Sequence, residues 1–287
     1  MHLLKSYINF LLKSQNQHGL HSPFVYDLVT KCFYDKKKYP AYKLLEEYRK
    51  SLLQNKEKIE VTDFGAGSRV FKSNSRKVSA IAKNAGITKM RAKLLYRLVN
   101  YLKCKNVLEL GTSLGIATSA LAANKKTAVT TIEGCPETAN IARQNFEKFR
   151  LDNINLEIDK FEEVFKKWRV ESGEELGKRE NRKENRDRRQ ETGKIINPKL
   201  PATNYDLVFF DGNHQKQSTL DYFRQTLSFA HNDSVFIFDD IHWSPDMEAA
   251  WEEIKNHPVV TVSIDTFYWG LIFFRREQAK QHFVIRL

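Results

Sequence analysis

The sequence predicts an α/β protein with a mostly parallel sheet of seven strands, a C-terminal antiparallel hairpin and an N-terminal helical cap. Three patterns in its 287 residues support this prediction. From residue 106 onward, short apolar runs alternate with helical patterns, as parallel strands joined by crossover helices do. The last two apolar runs have no helix between them, which favours a hairpin. Before residue 59, apolar residues recur at helical spacing instead.

Residues 1–77 are predicted to form the cap, which is helical and basic. Ser22-Pro23 is a good helix start within it. Residues 1–100 hold 20 Lys and Arg against 7 Asp and Glu, whereas the remainder holds 27 against 28. Such a region can bind nucleic acid, an anionic substrate or an acidic membrane surface. An ordinary solvated helical surface has the same composition, and this is the interpretation that we prefer.

Residues 78–287 are predicted to form the main domain, entered through a helical stretch over Val78–Leu102. The predicted strands are Asn106–Leu110, Ala128–Ile132, Ile154–Ile158, Asp206–Phe210, Ser234–Phe238, Val259–Ile264 and Leu271–Arg275. The predicted helices between them include Ile116–Ala122, Pro136–Phe149, Phe161–Trp168, Ser218–Ala230 and Pro245–Asn256.

Two polar segments interrupt this order. Residues 171–199 contain nine Lys and Arg and seven Asp and Glu with almost no apolar residues, which predicts a disordered surface insertion. Residues 60–68 are rich in glycine, but no amphipathic helix follows them directly. They also lack a strand ending in an acid about 20 residues later, which a dinucleotide site needs. We therefore expect residues 60–68 to form a mobile loop that lies next to a cofactor or a substrate.

The most informative motif is the glycine turn in Val107-Leu-Glu-Leu-Gly-Thr-Ser-Leu-Gly115, which follows a strand and opens a helix. The next strand ends in Glu133, 22 residues after Gly111. Glycines let the backbone approach a ligand closely, and an acid at the tip of the second strand can accept hydrogen bonds from two ribose hydroxyls. The turn lacks the spacing of pyrophosphate binders, and no lysine follows it as in a phosphate-binding loop. The motif therefore favours a nucleoside cofactor without phosphates.

The chain resembles the class I S-adenosylmethionine methyltransferases, which have a Rossmann-like fold and an acid two residues before a glycine turn. Glu109, Gly111 and Gly115 match this motif, and Ser113 stands where many members have a further glycine. The resemblance implies that S-adenosylmethionine is the cofactor. It places Glu109 and Gly111 at the methionine end and Glu133 at the ribose. The implied cofactor-binding residues are Glu109, Gly111, Thr112, Ser113, Gly115, Glu133, Gly134, Lys160, Phe161 and Asp211, of which Lys160 and Phe161 lie where members contact adenine.

Acidic residues and a histidine follow two later strands. One strand ends in Asp211-Gly-Asn-His214 and the next in Asp239-Asp240. Because parallel strands end at one edge of the sheet, these tips are expected to lie together. Three carboxylates repel one another unless a cation joins them, and hard oxygen ligands suit Mg²⁺. Each acid could instead cap a helix or hold a loop.

These residues resemble those of the metal-dependent O-methyltransferases of the catechol and macrolide-sugar types. The resemblance implies that Asp211, Asp239 and Asp240 bind Mg²⁺ or a similar divalent cation. It also implies catalytic roles for Asp211 and for His214, with His214 as the general base. The expected reaction is metal-assisted methylation of a hydroxyl on a small molecule.

Two other functions are compatible with the sequence. A methyltransferase could act on nucleic acid or protein docked on the basic N-terminal region, although Asp211-Gly-Asn-His stands where amino-methylating enzymes carry Asn/Asp-Pro-Pro-aromatic. A non-catalytic binding module could also retain the fold. No apolar run approaches the roughly 18 residues of a membrane span. The three cysteines are widely spaced, which favours reduced thiols and a cytoplasmic location.

Overall fold

The computed structural model describes residues 2–65, 67, 73–172 and 204–287. Glu171 and Ser172 end a helix. The remainder of the predicted charged insertion lies outside the described residues, and its disorder stays a prediction.

The described residues form ten α-helices and ten strands. The helices are α1 (His2–Lys13), α2 (Pro23–Leu28), α3 (Ala41–Gln54), α4 (Val78–Asn84), α5 (Lys89–Tyr101), α6 (Ile116–Ala122), α7 (Pro136–Lys148), α8 (Phe161–Ser172), α9 (Lys216–Thr226) and α10 (Pro245–Asn256). The strands are β1 (Lys58–Glu60), β2 (Ser75–Lys77), β3 (Asn106–Leu110), β4 (Ala128–Glu133), β5 (Ile154–Ile158), β6 (Leu207–Phe210), β7 (Val235–Asp239), β8 (Val262–Asp265), β9 (Trp269–Phe273) and β10 (Gln281–Val284). A π-helical turn, Val29–Phe33, extends α2, and 3₁₀ turns span Gln17–Gly19 and Leu227–Phe229.

Three helix starts illustrate how the sequence sets these boundaries. Ser22, Thr88 and Ser244 each accept a hydrogen bond from the backbone N–H three residues later, at 3.4, 3.3 and 3.2 Å. A hydroxyl at this position satisfies one of the amides that the first helical turn leaves unpaired. Thr88 places Arg91 in the first turn of α5, and Ser244 starts α10 directly after the acidic tip of β7.

The main sheet has eight strands in the order β10-β8-β9-β7-β6-β3-β4-β5. Every described pairing in it is parallel except the two that β9 makes with β7 and with β8. The strand order reverses at β3, which lies between β4 and β6. Such a switch point leaves a crevice at the carboxyl ends of the strands, where ligands bind in open parallel sheets.

Alternate residues of the strands contribute to two separate cores. Val107, Phe209 and Ile237 face a core shared with the helices α2 to α7, whereas Leu108 and Phe236 face a core shared with α8 to α10. The fold is therefore a sheet covered by helices on both faces. This confirms the predicted α/β class with a mostly parallel sheet and a C-terminal antiparallel hairpin.

The sheet differs from the prediction by one strand. The prediction had seven strands, and the eighth is β10, which pairs in parallel with β8 at the edge. Its side chains are exposed or half-buried, so the sequence Gln281-His-Phe-Val lacks the continuous apolar run of an inner strand. The separate hairpin of β1 and β2 was also not predicted, because both strands are three residues long and mostly charged.

The N-terminal helices share a core with the main domain. Tyr48 of α3 is fully buried, and its hydroxyl donates a hydrogen bond to the carbonyl of Leu114 at 2.9 Å. Its ring lies 5.2 Å from that of Phe149 and 6.3 Å from that of Phe146, between ring centroids. The cap of residues 1–77 thus packs directly on the glycine turn. Among the described helices, none is long and apolar enough to cross a membrane.

Replacing Tyr48 by Phe should lower the free energy of unfolding by about 1–3 kcal/mol, because the buried Leu114 carbonyl loses its donor. Urea denaturation followed by circular dichroism measures this change. Tyr26→Phe is the matched control, since Tyr26 lies on α2 with 45% of its surface exposed and should change stability by less than about 0.5 kcal/mol. Equal stabilities of the two variants would show that the bond contributes nothing.

Candidate active site

A cavity of about 640 Å³ lies at the carboxyl ends of β3, β4, β6 and β7. Its volume is within the range of small-molecule sites. Most of the residues predicted for the site line it, together with a segment of the N-terminal region. The lining includes Val61–Gly65, Arg76, Arg91, Gly111, Ser113, Glu133, Gly134, Lys160, Phe161, Asp211, Asn213, His214, Asp239, Asp240 and Trp243.

The glycine turn approaches the tip of β6 so closely that residue 111 has no room for a side chain. A Cβ on Gly111 would stand 2.2 Å from the carbonyl oxygen of Asp211, and the φ of Gly111 is 106°. The Gly111 amide also donates to the carbonyl of Ile132 at 3.0 Å. The turn is therefore fixed between β4 and β6, with its backbone at the cavity wall.

Glu133 lies at the tip of β4, as the motif predicts, and lines the cavity. Its Oε2 accepts from the Ser113 amide at 2.6 Å, and its Oε1 accepts from the Cys135 amide at 2.9 Å. Burial raises the pKa of this carboxyl, against the lowering effect of the amide hydrogen bonds. Each carboxylate oxygen can accept a further hydrogen bond. Glu133 can therefore hold a pair of ligand hydroxyls while also orienting the glycine turn.

Glu109 lies below the turn, not at the cavity wall. It is 0% exposed, and its Oε2 accepts from the hydroxyls of Thr118 and Thr131 at 2.5 and 2.6 Å. Burial raises its pKa to about 8. Thr112 is also buried, with its hydroxyl 2.5 Å from that of Thr131. These side chains support the turn from within the sheet, so contact of Glu109 with the methionine end of a cofactor stays a prediction.

Gly115, the second glycine of the motif, is required by the packing of the cap. A Cβ there would stand 2.5 Å from the hydroxyl oxygen of Tyr48 and 2.6 Å from the ring of Phe146, and the φ of Gly115 is 76°. The residue begins α6 and does not line the cavity.

The acidic tips of β6 and β7 come together at the cavity, as the sequence indicates. Burial raises the pKa of Asp211 well above its usual value, and the neighbouring carboxylates of Asp239 and Asp240 raise it further. Burial raises the pKa of Asp240 to about 7, with a further contribution from Asp239. The cluster therefore carries charges that repel one another at close range, and a bound cation relieves such repulsion.

His214 belongs to the same cluster. Its Nε2 lies 3.9 Å from Oδ1 of Asp211. Burial lowers its pKa, against the opposing effects of Asp239 and Asp63. A neutral imidazole at neutral pH can accept a proton, which suits the general base that His214 is predicted to be.

Arg91 is a member of the site that sequence analysis did not find. Its guanidinium donates from Nη1 to Oδ1 of Asp239 at 2.9 Å and lies 5.1 Å over the ring of Tyr268. The acids thus have one fixed basic partner, which the sequence argument did not include. Arg91 comes from α5, 148 positions before Asp239, and no local pattern joins them.

The backbone at the two acidic tips takes up left-handed conformations without glycine. The φ angles are 71° at Asn213, 46° at His214 and 54° at Asp240. Such conformations cost free energy, and they cluster at sites where the surrounding structure imposes a particular geometry. Here they fix the backbone positions of the base and of one acid.

The described residues include no group of three or more His, Cys, Asp or Glu side chains arranged to hold a metal ion. The nature of the donors nevertheless suits a hard cation. One of the three acids is paired with Arg91, and the other two have raised pKa values because they are buried beside it. A divalent cation at this cluster therefore stays a prediction.

Residues 108–241 match the sequence model of a methyltransferase domain. This stretch contains the glycine turn, Glu133, His214 and all three acids. Residues 108–241 form a methyltransferase domain. The match confirms the prediction of a methyltransferase. No curated protein matches the chain by sequence.

Solved structures share the fold over most of this chain. An O-methyltransferase from Bacillus cereus in complex with SAH has a TM-score of 0.50 at 18% identity, over 86% of this chain and 94% of that one. The O-methyltransferase TomG of Streptomyces achromogenes, in complex with SAM, has 0.51 at 15% identity, over 86% and 95%. The SAH-bound methyltransferase PaMTH1 of Podospora anserina has 0.53 at 13% identity, over 89% and 97%. This shared architecture confirms the predicted Rossmann-like α/β fold.

Replacing Gly111 by Ala should distort the methyltransferase domain at the turn. The new Cβ meets the Asp211 carbonyl in a left-handed backbone conformation, so we expect a loss of about 2–4 kcal/mol in the free energy of unfolding. Urea denaturation measures this loss.

The matched control is Gly67→Ala. Gly67 has a φ of 77°, but no atom of the described residues lies within 4 Å of its added Cβ. The Gly67→Ala variant should lose only roughly 1–2 kcal/mol in the free energy of unfolding, which is the cost of backbone strain. A loss at Gly111 no larger than that at Gly67 would mean that the turn can move away from β6.

Proposed function

We propose that the chain transfers the methyl group of S-adenosylmethionine to a hydroxyl of a small molecule, assisted by a divalent cation. The observation that carries this proposal is that Glu133 and the cluster of His214 with the three acids line one cavity. The first can hold the ribose of the cofactor, and the second can hold and deprotonate an acceptor. The similar solved structures named as O-methyltransferases support the choice of oxygen as the acceptor atom.

The glycine turn fits this cofactor. Gly111 brings the backbone to the cavity wall without a side chain, and Glu133 presents carboxylate oxygens beside it. The turn has neither the glycine spacing of pyrophosphate binders nor the lysine that follows the glycines of a phosphate-binding loop. An adenosine joined to an amino acid through sulfur meets these conditions.

In the proposed reaction the acceptor oxygen attacks the methyl carbon of the sulfonium. The new C–O bond forms as the S–CH₃ bond breaks, the electron pair of that bond stays on sulfur, and S-adenosylhomocysteine leaves. His214 takes the hydroxyl proton on a ring nitrogen, and burial keeps its imidazole neutral and ready to accept it. Positioning of the oxygen in line with the methyl group supplies much of the remaining rate.

The acids have a separate task. Asp211, Asp239 and Asp240 would hold a hard divalent cation, which when bound lowers the pKa of the acceptor hydroxyl and orients it. Arg91 holds the Asp239 side chain in place through its ion pair. In this proposal the cofactor binds at Glu133, and the acceptor binds at the carboxyl ends of β6 and β7.

The cofactor is tested by calorimetric titration with S-adenosylhomocysteine. Wild-type protein should bind it and melt at a higher temperature, as native-state ligands cause. Glu133→Gln should weaken binding by roughly 1.5–3 kcal/mol, the range for hydrogen bonds to a charged group. The matched control is Glu147→Gln on the exposed face of α7, which should bind like the wild type. No binding to wild-type protein at millimolar ligand would refute the proposal.

The cation and the base are tested with a catechol acceptor such as 3,4-dihydroxybenzoate. EDTA should abolish methyl transfer but leave S-adenosylhomocysteine binding intact, and Mg²⁺ should restore transfer. Asp240→Ala should behave like chelation at low metal and be partly rescued by excess Mg²⁺. His214→Ala should lose a factor on the order of 10²–10⁴ in rate at saturating Mg²⁺.

His18→Ala, which alters an exposed histidine outside the cavity lining, is the control and should keep full rate. Full activity in EDTA would assign the acids a purely structural role and leave His214 as the base. If no transfer to this catechol is detected, titration with Mn²⁺ followed by electron paramagnetic resonance tests the cation site directly.

A further inference from the structure

One wall of the cavity comes from outside the methyltransferase domain. The segment Val61–Gly65 follows β1 and crosses between the tip of β4 and the tip of β6. A Cβ added to Gly134 would stand 2.8 Å from Cδ2 of Phe64, and one added to Gly65 would stand 2.8 Å from Cα of Asn213. The segment therefore rests directly on both strand tips.

Phe64 occupies the space that a side chain at position 134 would need. Gly134 is the residue next to Glu133, so the Phe64 ring lies beside the acid assigned to the ribose. The ring remains 46% exposed although it is large and apolar, and it lines the cavity. Burying that exposed part against a ligand is favourable.

The chemistry around the ring suits a flat, electron-rich heterocycle. The ammonium of Lys160 lies 5.2 Å from the centroid of Phe64. Phe161 lines the same cavity, held by an edge contact with Tyr222 at 5.1 Å between centroids. The buried Oδ1 of Asn213 has no hydrogen-bond partner among the described residues and can accept from an amino group.

We propose that Phe64 is a cofactor-binding residue whose exposed ring stacks on the adenine of S-adenosylmethionine. This inference rests on the proposed function, because it takes the ribose to lie at Glu133. Adenine is attached to that ribose, and the Phe64 ring lies beside Glu133 through its close approach to Gly134. The N-terminal region thus supplies an aromatic surface where the β4 tip has only a glycine.

The proposal is tested with two ligands that differ only in the base. S-adenosylhomocysteine carries adenine, whereas S-ribosylhomocysteine has the same ribose and amino acid without it. Stacking of a base on an aromatic ring contributes enough to change the dissociation constant roughly 5- to 150-fold. Phe64→Ala should weaken S-adenosylhomocysteine binding by that factor and leave S-ribosylhomocysteine binding unchanged, both measured by calorimetry.

Two further variants separate stacking from a structural effect. Phe64→Tyr keeps the ring and should bind S-adenosylhomocysteine like the wild type. Phe64→Leu fills the space without a ring and should bind it as weakly as Phe64→Ala does. Tyr26→Ala removes a similarly exposed aromatic residue outside the cavity lining and should bind both ligands like the wild type.

Three outcomes would overturn the assignment or its premise. Equal weakening of both ligands in Phe64→Ala would make Phe64 a structural support for the β4 tip. Unchanged affinity for both ligands would remove Phe64 from the site. If wild-type protein binds neither ligand, the proposed function itself fails, and this result is distinct from the other two.

Discussion

The close contact between the glycine turn and the tip of β6 is the constraint on which the site depends. Gly111 allows the backbone after β3 to meet the Asp211 carbonyl, and a single methyl group there would push the two strand tips apart. Because β3 is the switch point of the sheet, this contact brings the Glu133 side of the cavity next to the acidic side. A cofactor and an acceptor can then reach each other in one cavity of about 640 Å³.

The N-terminal helices are part of that arrangement, not an appendage to it. Tyr48 bonds to the backbone of the glycine turn, Arg91 pairs with Asp239, and Phe64 covers Gly134. Each of these three contacts joins a segment that precedes β3 to a different strand tip. One basic residue among the first 100, Arg91, is therefore used inside the site.

The structural features that could be predicted from the sequence are those that depend on a local pattern of apolar and acidic residues. The strands β6 and β7 are continuous apolar runs with acids at their ends, so the meeting of Asp211 with Asp239 could be predicted. The strand β10 could not, because its half-exposed edge position allows polar residues. Arg91 could not either, because its pairing joins residues 148 positions apart.

Glu109 illustrates a further limit of sequence patterns. Its position in the motif predicts contact with the cofactor, and the structure adds two buried threonine hydroxyls that bind its Oε2. An acid before a glycine turn looks the same in sequence whether it faces a ligand or a buried hydroxyl pair. The motif alone does not show the threonine partners, because one of them, Thr131, comes from the neighbouring strand β4.

The edge of the sheet at β10 has a consequence for how the protein avoids aggregation. An exposed edge strand offers unpaired amides and carbonyls to other chains. Gln15 covers this edge, since its amide donates to the carbonyl of Val284 at 2.8 Å and its carbonyl accepts from the amide of Arg286 at 3.3 Å. Gln15 thus forms an isolated parallel bridge with Ile285, directly after β10. Removing residues 1–15 would expose the backbone groups of Val284 and Arg286 and lengthen the open edge that β10 offers to other copies of the protein.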